Sequence, residues 1–137
     1  MKNVASAVLV AMSFAGAVSA CAPKLRTPID DIPKLTSLEQ VMDNQATVAD
    51  PQMGKAGEAT YSDADWTAFT EVGTRIQATA KKIKDFTKGP DFDALADRLG
   101  VSAKSLADAA AAKDTAKASA ALTEMKATCK ECHSKFR

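Results

Sequence analysis

The chain has 137 residues with 18 basic and 17 acidic side chains; 46% of its residues are hydrophobic and only 5% are aromatic. This length suits one domain with a modest core, and the near balance of charge gives no support for nucleic-acid binding. Abundant alanine and few β-branched runs favour helices over strands.

Residues 1–20 have the pattern of a secretory signal, because Lys2 precedes an uncharged apolar run that ends in small residues. The run is too short, and too rich in alanine and serine, to make a good membrane span. We therefore expect these residues to be removed on export. The remaining 117 residues carry 17 basic and 17 acidic side chains.

The signal ends in the sequence VSAC, which resembles a bacterial lipobox, although valine stands where leucine is usual. In that motif Cys21 becomes the first mature residue and carries the lipid, and a lone cysteine here has no other obvious partner. Ordinary cleavage after Ala20 is the alternative. Either outcome predicts export, to the periplasmic side of a bacterial membrane or to the soluble periplasm. Ala22 after the cysteine favours the outer membrane by analogy with enteric sorting rules.

Residues 21–34 are predicted to be the lipidated cysteine and an extended tether, because residues 22–33 contain three prolines and no periodicity. Residues 35–137 are predicted to form one domain. Apolar residues at alternating spacings of three and four predict four amphipathic helices within it, beginning near residues 36, 62, 91 and 114.

The first helix has Thr36 and Glu39 at capping-box spacing and is expected to end at Pro51. The predicted core-facing stripes of the four helices are Leu38, Val41, Met42, Gln45 and Val48; Trp66, Phe69, Gly73, Ile76, Ala80 and Ile83; Phe92, Leu95, Leu99, Ala103, Leu106 and Ala110; and Ala118, Leu122, Met125, Cys129, Cys132 and Phe136. Short links between long amphipathic helices favour an all-α, antiparallel four-helix bundle.

The last predicted helix carries Cys129-Lys130-Glu131-Cys132-His133, which has the spacing of a c-type haem attachment motif. Two thioether bonds to the porphyrin vinyl groups need sulfur atoms a fixed distance apart, and three residues of helix span about one turn. His133, the only histidine, then lies on the face of Cys129 with its imidazole free to bind iron. The sequence therefore predicts one covalent haem c held by Cys129 and Cys132, with His133 as an axial ligand.

Two other interpretations of the motif are weaker. A disulfide or redox pair between Cys129 and Cys132 would need no histidine, and the βαβ setting of thioredoxin-like motifs is not predicted here. A zinc site would need a fourth ligand, and no further cysteine or histidine remains apart from Cys21.

The chain resembles the class II cytochromes c, the family of cytochrome c′ and its Met-ligated relatives, over about residues 35–137. The resemblance is most specific in "LADAAAAKDTAKASAALTEMKATCKECHSKFR", which places the motif in the last of four alanine-rich helices and closes with an aromatic and a basic residue. It implies a four-helix bundle with haem near the C-terminus. It also implies that Arg137 lies near the proximal side of the haem, where the alternative is a solvated C-terminal arginine.

The sixth position of the iron is held by a methionine or is open, because one histidine excludes bis-histidine ligation within one molecule. Met125 lies on the helix of His133 and cannot reach the opposite side of the porphyrin. In the family, the first helix covers the distal side, and the Met-ligated branch supplies its sulfur from a stretch that "QVMDNQ" resembles. The resemblance therefore implies Met42. The alternatives are Met53, in the predicted loop after Pro51, and five-coordinate iron.

One departure concerns the haem propionates. The family commonly has an Arg-Gln pair just ahead of this position, with the arginine near a propionate, and this chain has Leu38 and Glu39 instead. The propionate partner must therefore differ, and we expect Arg75 or a lysine.

The lipobox-like signal and the resemblance together predict a lipid-anchored electron-transfer cytochrome whose partners are periplasmic or membrane redox proteins. No acid–base pair is evident, so we do not expect an enzyme. The alternative is a cytochrome c′-type protein with five-coordinate iron that binds nitric oxide or carbon monoxide. Many relatives dimerise, which leaves a homodimer open.

Overall fold

The computed structural model describes residues 26–137, so the predicted signal and Cys21 lie outside the described residues. Its four long helices are α1 (Leu38–Met53), α2 (Asp63–Ile83), α3 (Pro90–Ala112) and α4 (Thr115–Phe136). A 3₁₀ helix, Ile29–Lys34, precedes α1, and a 3₁₀ turn, Lys84–Phe86, follows α2. Strands do not occur in this part of the chain, and the predicted all-α four-helix bundle is confirmed.

Local capping accounts for where two of the helices begin. The Ser62 hydroxyl accepts from the N–H of Asp65 while the Asp65 carboxylate accepts from the N–H of Ser62, so α2 starts with a complete capping box. Asp114 caps α4 by accepting from the N–H of Lys117. Both starts agree with the predicted ones to within a residue or two.

Both ends of α1 differ from the prediction. Its cap is Ser37 rather than Thr36, because the Ser37 hydroxyl accepts from the N–H of Gln40 at 3.2 Å. At the other end the helix continues through Pro51 to Met53, since a proline this close to a helix end forfeits only one hydrogen bond of the last turn. Met53 therefore lies on α1 and not in a loop.

The core lies where the apolar periodicity predicts it. The α2 and α3 stripes are buried throughout, and Val41, Val48, Ala118, Leu122 and Met125 are buried on α1 and α4. On the last turns of α4 the stripe is only half-buried, at Cys129, Cys132 and Phe136. The reason is that this part of α4 borders a cavity rather than another helix.

The tether prediction is wrong for residues 29–34. They form a 3₁₀ helix, and Ile32 is completely buried against the bundle. Burial of one isoleucine contributes about 1.5–3 kcal/mol, which offsets only part of the entropy lost by ordering a six-residue element. A single buried side chain produces no periodic pattern, so the sequence did not reveal this docking.

Consecutive helices pack side by side, but α1 and α4 make little direct contact and stay apart over much of their length. A cavity lies between them. Within residues 26–137, no helix is both long and apolar enough to cross a membrane.

Candidate functional site

The space between α1 and α4 is a cavity of about 940 Å³, the size of a site for a large cofactor. Its floor is apolar and comes from α2 and α3. The floor residues are Ile76, Ile83, Phe92, Leu95, Ala96 and Leu99. All of them are buried. The bundle therefore encloses a large apolar chamber with one helix on each side.

The α4 side of the cavity carries the predicted attachment motif. Cys129, Cys132 and His133 all line the cavity, on the last turns of a regular helix. The two thiols are free and half-buried, while His133 is exposed. Burial above all, and then the neighbouring Cys132 and Asp50, raises the pKa of the Cys129 thiol to about 11. At neutral pH this sulfur is a protonated, apolar group facing the chamber.

Arg137 and Met125 also border the cavity from α4 and its end. Arg137 is exposed, and its N–H donates to the carbonyl of His133 at 3.3 Å. Met125 is completely buried one turn before Cys129, so it packs under the site and cannot approach it from the opposite side.

The α1 side of the cavity contains both candidate methionines. Met42 and Met53 are half-buried and line the cavity, and Gln45, Ala46 and Ala49 lie between them on the same wall. The presence of Met53 on this wall follows from the extension of α1 beyond Pro51.

One hydrogen bond aligns the end of α1 with the first turns of α4. The N–H of Gly57, just beyond α1, donates to Ser119 Oγ at 2.7 Å. Because the two helices are antiparallel, the first half of α1 then lies beside the last turns of α4.

This alignment separates the two methionines. Counted along both helices from the Gly57–Ser119 contact, His133 falls roughly level with residues 43–46 of α1. Met42 lies within about four residues of that level, or ~6 Å along the helix axis, whereas Met53 lies about seven to ten residues away, or ~10–15 Å. Met42 is therefore the thioether on the facing wall that is nearer to His133.

The mouth of the cavity is lined by charges of both signs. Lys88, Lys126 and Arg137 contribute positive charge, and Glu39, Asp43 and Asp50 contribute negative charge from α1. Lys88 Nζ also donates to the carbonyl of Phe136 at 2.7 Å. Two lysines, Lys88 and Lys126, therefore border the cavity, and either remains an expected propionate partner.

Arg75, the other expected propionate partner, does not line the cavity, so this expectation is wrong. It is 5% exposed, and its Nη1 donates to the carbonyl of Thr27 at 2.5 Å. Its guanidinium therefore faces the N-terminal segment, on the other side of α1.

Arg98 on α3 is a site residue that the sequence did not reveal. Its Nε donates to Thr128 Oγ1 at 3.0 Å and its Nη2 donates to Glu131 Oε2 at 2.5 Å, on the turn that carries Cys129 and Cys132. An exposed arginine some 30 residues before the motif gives no local signal of such a contact.

The arrangement fits a covalently held haem better than a bare metal ion. Two free thiols one helical turn apart suit the two vinyl groups of a haem, and the imidazole that follows them suits its iron. The apolar chamber suits the porphyrin ring, and the cations at its mouth suit the propionates. By contrast, residues 26–137 hold no cluster of three or more His, Cys, Asp or Glu placed to bind a metal ion directly.

Comparison with known proteins agrees with this geometry. A family model described as Cytochrome C′ matches residues 34–137. A cytochrome c′ from Pararhodospirillum photometricum is 41% identical over 70 residues, which cover 51% of this chain and 56% of that protein. The match thus spans about half the length of each. No solved structure was found to match the chain.

Proposed function

Because the family model covers residues 34–137, this chain belongs to the cytochrome c′ family, and we propose that it is an exported, lipid-anchored cytochrome that carries single electrons between redox proteins. Its cofactor is a covalently attached haem c with its iron. When bound, the haem supplies reversible one-electron chemistry at iron. The role of the protein is to hold the group, coordinate it and control its access to water.

Cys129 and Cys132 would form the two thioether bonds, and His133 would be the first axial ligand. The helix supports these roles because it presents both sulfur atoms and the imidazole to one chamber. Lys88 and Lys126, at the mouth, would offset the negative charge of the propionates. The buried floor would keep water from the faces of the ring.

Met42 would be the second axial ligand, and this assignment decides between the two functions. The supporting observation is the Gly57–Ser119 hydrogen bond, which aligns α1 with α4 so that Met42 is nearer than Met53 to the level of His133. Two permanent ligands keep the coordination of iron the same in both oxidation states, which suits electron transfer rather than catalysis.

Export and anchoring are part of the proposal. They are supported by the signal pattern of residues 1–20 and by Cys21 in its lipobox-like setting. We expect the protein on the periplasmic side of a bacterial membrane, with periplasmic or membrane redox proteins as partners.

The second candidate function is capture of nitric oxide or carbon monoxide at five-coordinate iron. It is favoured by Ala46, a small residue on the α1 wall of the cavity, which would leave room for a diatomic ligand. Under this alternative Met42 would only pack beside the open site.

Absorption spectra of the oxidised and reduced holoprotein test the proposal. A low-spin ferric spectrum with a sulfur-to-iron charge-transfer band supports Met ligation and electron transfer. A high-spin ferric spectrum, with ready binding of carbon monoxide by the ferrous protein, would replace it with the gas-binding function.

A further inference from the structure

Helix α1 forms the cavity wall that faces the α4 site, and it packs less extensively on the other helices than they pack on one another. The cavity separates it from most of α4, so it packs mainly against α2. Its other support is the segment directly before it, residues 26–34, which we call the N-terminal strap. Ile32 of the strap is completely buried against the bundle.

Thr27 of the strap is bonded to two different helices. Its N–H donates to Asn44 Oδ1 at 3.2 Å, and its hydroxyl accepts from Asn44 Nδ2 at 3.2 Å. Its carbonyl accepts from Arg75 Nη1 at 2.5 Å. One residue of the strap thus joins α1, through Asn44, to α2, through Arg75.

Both helix partners in this network are buried. Asn44 is 4% exposed and Arg75 is 5% exposed, and Arg75 Nη1 also lies 3.3 Å from Asn44 Oδ1. Water cannot readily replace the strap at these groups, so losing Thr27 would leave a buried amide and a buried cation short of partners. Arg75 Nε is already buried without one.

The charge of Arg75 is balanced within the same network. Its Nη2 lies 3.6 Å from Glu71, and Glu71 in turn pairs with Arg26 of the strap at 3.0 Å. An apolar side chain could fill this volume without burying a charge. A buried ion pair is weak evidence for stability, so we attribute Arg75 to the relative position that it imposes on the two elements it joins.

The network extends to the cavity wall. The residue after Asn44 is Gln45, which lines the cavity and donates from Nε2 to Thr79 Oγ1 at 3.1 Å. The Thr79 hydroxyl donates to the carbonyl of Arg75 at 2.9 Å. Arg75 is thus linked to the strap by its side chain and to the cavity wall through its carbonyl.

We propose that Thr27, Asn44 and Arg75 form a clamp through which the N-terminal strap sets the position of α1 opposite His133. Arg75 and Asn44 are positioning residues, and neither touches the cavity itself. The clamp rests on the proposed function only in that Met42 is the ligand it positions. With the clamp released, α1 would move more freely and would hold Met42 less steadily opposite His133.

The test uses the full-length holoprotein with Asn44→Leu and Arg75→Met, which keep side-chain bulk and remove the polar contacts. The matched control is Gly73→Ala, which crowds the packing of α2 on α3 next to the clamp without touching the strap or the cavity. Two quantities are measured for each variant: amide hydrogen exchange along the helices and the rate of carbon monoxide association with the ferrous protein.

Both clamp variants should raise the rate of amide hydrogen exchange in α1 by about tenfold. This is the factor expected when the free energy of local opening falls by the contribution of one buried hydrogen bond. They should also speed carbon monoxide association by a similar factor, and Arg75→Lys should restore part of the wild-type rate. Gly73→Ala should raise exchange in α2 and α3 and leave the association rate near that of the wild type.

Unchanged α1 exchange in Arg75→Met, or an equal change of association rate in Gly73→Ala, would overturn the clamp. A high-spin ferric wild type would instead contradict ligation by Met42. The exchange and association comparisons would then still decide whether the clamp holds the wall of an open site.

Discussion

Arg98 on α3 reaches across to Glu131 on α4, and the 2.5 Å contact between Nη2 and Oε2 holds one of the two residues that lie between the motif cysteines. The same guanidinium donates to Thr128 Oγ1, on a residue that is 1% exposed, and Lys135 supports Glu131 from the other side at 2.8 Å. The turn that carries Cys129 and Cys132 is therefore held by a network rather than by a single surface pair.

Arg98→Met should loosen this turn without preventing haem attachment, since both thiols remain. The expected result is a lower free energy of unfolding, measured by chemical denaturation of the holoprotein, and a greater loss than Lys104→Met causes. Lys104 is a matched control because it makes only an exposed pair with Asp108 on the same helix, a type of pair that contributes little. Equal losses in the two variants would mean that the network adds nothing to the turn.

Close packing of α2 on α3 gives a second prediction, at Gly73. A Cβ at this position would lie 2.7 Å from the Cβ of Ala107 and 2.8 Å from the carbonyl oxygen of Ala103. Such overpacking costs about 1–3 kcal/mol, more than the roughly 0.5–1 kcal/mol by which alanine is favoured over glycine in a helix. Gly73→Ala should therefore lower the free energy of unfolding.

Gly100 on α3 is the matched control for Gly73. A Cβ there would lie 3.5 Å from the Cβ of Ala80, an ordinary contact. Gly100→Ala should raise the free energy of unfolding by about 0.5–1 kcal/mol. If Gly73→Ala were stabilised as well as Gly100→Ala, α2 and α3 would not approach each other as closely as described at Gly73.

The helices and the attachment motif could be predicted because their signals are local. Trp66, Phe69 and Ile76 repeat at helical spacing, and the order of Cys129, Cys132 and His133 is itself the pattern of the site. Turns and caps were predicted less well, since neighbouring residues such as Thr36 and Ser37 compete for the same role. Only the backbone geometry distinguishes them.

Contacts between distant residues could not be predicted in this way. Arg98 contacts Glu131 and Arg75 contacts Thr27, both far away in the sequence. From the sequence alone, the two arginines look like ordinary charged residues on helices. The N-terminal strap was missed for a related reason. Its docking depends on one apolar side chain, Ile32, and on polar contacts that follow no period.

Asp65 links stability to pH at the start of α2. Hydrogen bonds from Lys55 and from the hydroxyl and N–H of Ser62 lower the pKa of Asp65 to about 2. Because the folded-state pKa is lower than the unfolded one, protonation favours unfolding. The stabilisation is present above about pH 4 and is lost as the pH falls toward 2. Asp65→Asn should therefore reduce stability at neutral pH and flatten the stability profile between pH 4 and 2. If the stability of Asp65→Asn fell between pH 4 and 2 as steeply as that of the wild type, the Asp65 carboxylate would not be held by these hydrogen bonds.

Cys21→Ser tests the lipid anchor. The variant cannot accept a thioether-linked lipid, so the protein should move from the membrane fraction to the soluble periplasmic fraction, as followed by haem absorbance in both fractions. Haem content should stay the same, because all the residues that line the cavity belong to the helical domain, between Leu38 and Arg137. An unchanged distribution would mean that the signal is cleaved in the ordinary way or that the protein is held by another route.

Met42 is tested by Met42→Ala with Met53→Ala as its control, since both methionines line the cavity wall and differ in their level relative to His133. Loss of the thioether ligand should make the ferric iron high-spin, lower the reduction potential and ease the binding of carbon monoxide. Met53→Ala removes the same group about 10–15 Å from the level of His133 and should leave the spectrum almost unchanged. Absorption spectra and redox titration of both variants measure these effects. A low-spin spectrum that keeps its sulfur band in Met42→Ala, and loses it in Met53→Ala, would transfer the role to Met53 and would show that α1 lies about two turns from the alignment inferred here.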